Sequence, residues 1–111
     1  MIENLQIYIK SLNLVKEIYL LISQNNSLSR DYSLSDQIKR AAVSVATNIS
    51  EGYCQTKKHC KSYLKISSGS ANETITLLQI INLVYRIDTS KLQNEYKILA
   101  KQISSFSSSF H

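Results

Sequence analysis

No proline interrupts this chain anywhere in its 111 residues, and only two glycines do. Tight turns draw on those two residue types, so the composition argues against an all-β domain and favours long helices. The stretch from Asp36 to Gly52 shows what such a helix would bury. Ile38, Ala41, Ala42, Val45 and Ile49 recur at three- and four-residue steps, which makes one apolar stripe. Arg40, Ser44, Asn48 and Glu51 step by four, four and three along a neighbouring face, a polar line beside the apolar one. Gly52 closes the run, where helices commonly stop in a left-handed residue.

The same spacing predicts four helices, over residues 2–24, 34–53, 56–86 and 90–107. In the first, Ile2, Leu5, Ile9, Leu12, Val15, Tyr19 and Ile22 form the main stripe, and Ile7, Leu14, Ile18 and Leu21 a second flank. An apolar surface that wide implies burial on more than one side. Residues 25–31 are rich in Asn and Ser and read as an irregular connector. Ser33 or Ser35 is the expected cap of the second helix, with Asp36 in its first turn facing the helix dipole. Thr56 is the expected cap of the third, whose stripe is Leu64, Ser67, Ala71, Ile75, Leu78, Ile81 and Tyr85. Gly69 inside that helix costs about 1 kcal/mol relative to Ala. Close approach of another backbone would compensate it, and a kink there is the alternative. Asp88, Thr89 or Ser90 caps the fourth helix, where Leu92, Tyr96, Leu99, Ile103, Phe106 and Phe110 keep an a/d heptad pattern. Short connectors between amphipathic helices predict an all-α fold, an antiparallel up-down-up-down four-helix bundle in one domain over residues 1–111.

The formal charge is +5. An excess of that size fits an acidic partner and also fits plain solubility. Lys57, Lys61 and Lys65 recur every four residues beside Lys58 and His59, where the third helix opens and its free amides favour an anion. A phosphate backbone suits this face, and so does solvation alone. The line Arg40, Ser44, Asn48, Glu51, with Ser70 and Glu73 on the third helix, is read as a structural polar network that fixes helix register. Cys54, His59, Cys60 and His111 lack the spacing of a metal site, so neither metal nor cofactor is expected. The seven tyrosines fall mostly on stripes or their edges and read as core and interface residues. No phosphate-binding glycine loop, catalytic carboxylate pair or nucleophile-base pair is visible, so the expectation is a protein without enzymatic activity. The N-terminus lacks a signal-peptide pattern and no apolar run reaches membrane length, which predicts a cytoplasmic protein with reduced cysteines.

Two motifs carry a resemblance. They are Leu34-x-Asp36-Gln37-Ile38-Lys39-Arg40-Ala41-Ala42-x-Ser44-Val45-x-x-Asn48-Ile49-x-Glu51-Gly52 and Tyr63-Leu64-x-Ile66-x-x-Gly69-Ser70-x-x-Glu73. In order and spacing the chain resembles the four-helix-bundle proteins encoded within intervening sequences of bacterial 23S ribosomal RNA genes. It is similar, too, to the related accessory variability proteins of diversity-generating retroelements. It departs from them at Ser50 and Ser67, where those proteins often have Ala, and at Ile75, where a second acid is common. The resemblance implies a homopentamer with a basic surface and, in the retroelement branch, an RNA or DNA partner and a protein partner, the reverse transcriptase; this chain looks closer to the ribosomal RNA branch.

Overall fold

One leucine shapes the first reversal of the chain. Leu28 sits among the Asn and Ser residues that precede the second long helix, and it is fully buried. The computed structural model describes residues 2–53 and 57–109 and forms five helices from them, with no strand among the described residues. They are α1 (Ile2–Ser23), α2 (Asn26–Arg30), α3 (Tyr32–Tyr53), α4 (Lys57–Tyr85) and α5 (Ser90–Ser108). The short α2 replaces the irregular connector expected from composition, because one coiled turn carries Leu28 into the core. The expected cap residues Thr56, Cys54 nearby, and the tail residues Phe110 and His111 lie outside the described residues.

Asp31 caps α3 in place of Ser33 or Ser35. Its carboxylate accepts the Leu34 amide at 3.1 Å and the Tyr85 hydroxyl at 2.6 Å. These two bonds, the tyrosine's first, hold the Asp31 carboxyl below the usual carboxylate range, and the same contact pushes the Tyr85 phenol up. Ser35 serves instead as a buried tie, donating to the Leu28 carbonyl at 2.6 Å. With α3 starting at Tyr32, Asp36 falls beyond the first turn and pairs with Arg40 one turn on, at 2.8 Å. Gly52 is helical and buried, with no positive φ. A Cβ there would come within 3.3 Å of Leu64, so this glycine serves close packing of α3 on α4 and not helix termination.

The left-handed residue that ends a helix is Arg86, with φ of 55°, immediately after α4. Its amide returns to the Asn82 carbonyl at 3.0 Å. An L side chain pays roughly 1–2 kcal/mol for that conformation and glycine does not. Arg86→Gly is therefore expected to stabilise the fold by about 0.5–1 kcal/mol, after allowing for the extra entropy glycine loses on folding, and a denaturant-midpoint measurement checks it. At the start of α5, Asp88 accepts both the amide and the hydroxyl of Ser90, at 3.0 and 2.6 Å. Thr89 occupies the cap position, but its hydroxyl donates to the Leu78 carbonyl of α4 at 2.7 Å.

Helix α4 packs along most of its length against both α3 and α5, α1 packs on α3, and the contact between α1 and α5 is slighter. The particle measures 45 × 21 × 19 Å. The stripes expected of α3, α4 and α5 line the core, with Ile38, Val45, Ile49, Leu64, Leu78, Ile81, Tyr96, Leu99 and Ile103 fully buried. The Tyr96 hydroxyl is buried without a hydrogen-bond partner among the described residues, and burial raises its pKa. Helix α1 reverses much of its expectation, keeping Ile22 and, half-buried, Val15 from the main stripe. Ile7, Leu14, Ile18 and Ile22, with Ser11, face the core, while Leu5, Ile9, Leu12 and Tyr19 stand in solvent at 45–54% exposure. Gly69 departs as well. Helix α4 runs through it unbroken, and a Cβ built on it meets nothing within 4 Å, so no backbone among the described residues approaches it. None of the described helices is long and apolar enough to cross a membrane.

Candidate nucleic-acid interface

Lys61 and Lys65 lie on consecutive turns of α4 and both are exposed. Three residues after Lys65, the Ser68 hydroxyl stands 3.5 Å from that of Ser104 on α5. Three residues before Ser104 comes Lys101, and four before that Lys97, both exposed. Because α5 doubles back along α4, with Thr89 bonded to Leu78 near the reversal, the two pairs point in opposite directions from the serine contact. Lys61, Lys65, Lys101 and Lys97 thus form one file along the α4/α5 seam. Seven residues on either side of the contact, at about 1.5 Å per residue, give the file a length of about 21 Å.

The side chains between and beside these lysines are neutral: Ser68, Asn72 and Ser104. Nearby acids turn elsewhere. Glu95 faces α1, where it pairs with Lys10 at 3.2 Å, and Glu73 lies one turn beyond Ser70, on the α3 side of α4. Four unopposed ammonium groups along a seam attract a polyanion and release its counterions on contact. An open groove of about 730 Å³ between α1 and α5 adjoins the file through Lys101. Of the four lysines expected at this face, the structure places Lys61 and Lys65; the side chains of Lys57 and Lys58 lie outside the described residues. Lys97 and Lys101 were missed. Their four-residue spacing is visible on the outer side of the α5 heptad, but their proximity to Lys65 depends on the hairpin.

The polar line of α3 is drawn together only in part. The hydroxyls of Ser44 and Ser70 stand 2.8 Å apart, and the Asn48 amide donates to the Ser44 carbonyl and hydroxyl at 2.8 and 3.1 Å. Arg40 turns outward to Asp36, with its side chain 79% exposed. Glu51 and Glu73 are exposed and form no ion pair among the described residues. All three lie on the outer rims of their helices, too far round to meet across the seam. Ser67, read as a stripe position, adds a tie that the polar line does not include, donating to the Val45 carbonyl at 2.8 Å. Asn48→Ala is expected to lower stability by about 1 kcal/mol, since two hydrogen bonds are lost, whereas Glu51→Ala and Arg40→Ala stay within about 0.5 kcal/mol. Shifts in thermal unfolding temperature separate the two classes.

His59 is exposed and Cys60 is buried. Among the described residues no group of three or more His, Cys, Asp and Glu converges. The Tyr19 ring carries the Lys39 ammonium 4.9 Å above it, and Tyr53 packs on Phe106 with ring centres 5.8 Å apart.

Comparison with known proteins follows the same outline. A family model described as 23S rRNA-intervening sequence protein matches residues 3–106. Among solved structures, a protein with unknown function from the S23 ribosomal protein family of Bacteroides thetaiotaomicron is similar, with a TM-score of 0.86. The two are 23% identical, over 96% of this chain and 98% of that one, a likeness that speaks to the fold alone. No curated protein matches the chain.

Proposed function

Because the chain belongs to the 23S rRNA-intervening sequence protein family, we propose that it is a nucleic-acid-binding accessory protein of nucleoprotein assemblies, encoded in a 23S rRNA intervening sequence. On this reading it acts in the cytoplasm, without enzymatic activity. It is one domain over residues 1–111, an antiparallel up-down-up-down four-helix bundle with α2 as an inserted turn, and it self-associates, as the pentamer implied by its resemblance. The observation that carries the reading is the α4/α5 lysine file, whose four ammonium groups have no acid among them. Contacts of that kind grip the phosphate backbone and leave the bases unread, so binding is largely independent of sequence. Assembly repeats the file on every copy and multiplies affinity without new contacts.

A second reading is a protein-interaction scaffold whose positive charge serves solubility. The exposed apolar stripe of α1 favours it, because apolar surface of that extent is a common mark of a protein partner. Titration of the protein with generic RNA and DNA at low salt separates the two. Binding that weakens steeply with salt supports the first reading, and no binding at low salt supports the second.

A further inference from the structure

Two outward helical lines, on different helices, carry matching patterns. On α1, Ile9, Leu12, Lys16 and Tyr19 follow one another at steps of three, four and three, and all are exposed. On α4, Ile66, Gly69, Glu73 and Thr76 follow at the same steps, and all are exposed. We infer that these lines are the two halves of one heterologous interface, in which α1 of one copy lies alongside α4 of the next. The inference rests on the self-association proposed above and names its surfaces.

In parallel register, Ile9 meets Ile66, Leu12 passes over Gly69, Lys16 faces Glu73 and Tyr19 faces Thr76. Each line has its charge at the same place and of opposite sign. Neither Lys16 nor Glu73 has an ion-pair partner among the described residues. Gly69 has nothing within 4 Å of its missing Cβ, so its bareness has no use inside the chain, and a leucine of a neighbouring helix can enter there. Pairing α1 with itself about a two-fold centred on Leu12 would set Lys16 level with Tyr8 and one residue from Ile9, with no acid opposite the charge.

The axial levels also agree. Tyr19 is level with Lys39 of α3, whose ammonium lies 4.9 Å from its ring centre. Ser70 is level with Ser44, five residues further along α3, at 2.8 Å. Since α4 runs opposite to α3, Tyr19 is level with the residue five past Ser70, which is Ile75. Thr76 stands one residue higher, about 1.5 Å. A head-to-tail contact of this kind closes into a ring where its rotation closes and otherwise continues as a filament. Lys65, one turn before Gly69 and on the same face as Asn72 and Thr76, borders this contact.

Light scattering of the intact protein over a range of concentrations tests the interface. Gly69→Leu is expected to weaken assembly by about 100-fold or more while the single chain keeps its helicity and unfolds a few degrees higher, because leucine is the better helix former and the added side chain obstructs only a neighbour. Lys16→Glu and Glu73→Lys should each weaken assembly, and the double variant should restore it. An unchanged mass for Gly69→Leu, or a double variant no better than its parents, overturns the interface and leaves self-association standing. A parent protein that stays monomeric at every concentration overturns self-association itself.

Discussion

Replacing Lys61, Lys65, Lys97 and Lys101 together by glutamate is expected to abolish binding to generic RNA and DNA at low salt and to leave the fold intact. All four side chains are exposed and take no part in the core. The parent should show the thermodynamic signature of the file. Four phosphate contacts give a slope of about −2.8 in log affinity against log salt for single strands and about −3.6 for duplex. Between ~50 and ~200 mM salt, affinity per copy then falls about 50-fold on a single strand and about 150-fold on a duplex. Removing one lysine should weaken binding evenly across sequences and flatten the single-strand slope by about 0.7. Fluorescence anisotropy with labelled oligonucleotides reads all of these. Unchanged affinity in the fourfold variant removes the file as the site. No binding by the parent at low salt removes nucleic acid as the partner and leaves the scaffold reading.

The file was half legible before the fold was known. Lys61 and Lys65 announce each other by a four-residue step, a local signal that one helix is enough to interpret. Lys101 is 36 positions beyond Lys65, and only the reversal at Arg86 and the Ser68–Ser104 contact bring it alongside. The polar line of α3 was legible in part, for a different reason. Spacing correctly groups Arg40, Ser44, Asn48 and Glu51 on one side of the helix. It does not say how far round that side the neighbouring helix reaches, and along this line α4 meets Ser44 through Ser70, with Asn48 bonded back to Ser44 on its own helix. Helix α2 was illegible because four of its five residues are polar, and one buried leucine carries no period.

Ile18→Ala is expected to cost about 3–4 kcal/mol of stability, and Leu5→Ala less than about 1 kcal/mol when measured at concentrations where the chain is single. The contrast tests which face of α1 is turned inward. Periodicity finds apolar faces but does not rank them. Helices α3 and α4 each have one dominant stripe, so the spacing settles their orientation. Helix α1 has two, about half a turn apart, and the choice passes to what the neighbouring helices can accept. Ile18 is fully buried, and its loss leaves a cavity walled by the core. Leu5 is 54% exposed, and its truncation removes little packing from a lone chain. Equal costs would mean that both faces of α1 are covered within one chain. In that case the outer line would have no surface to offer a second copy, and the interface between α1 and α4 would lose its physical basis.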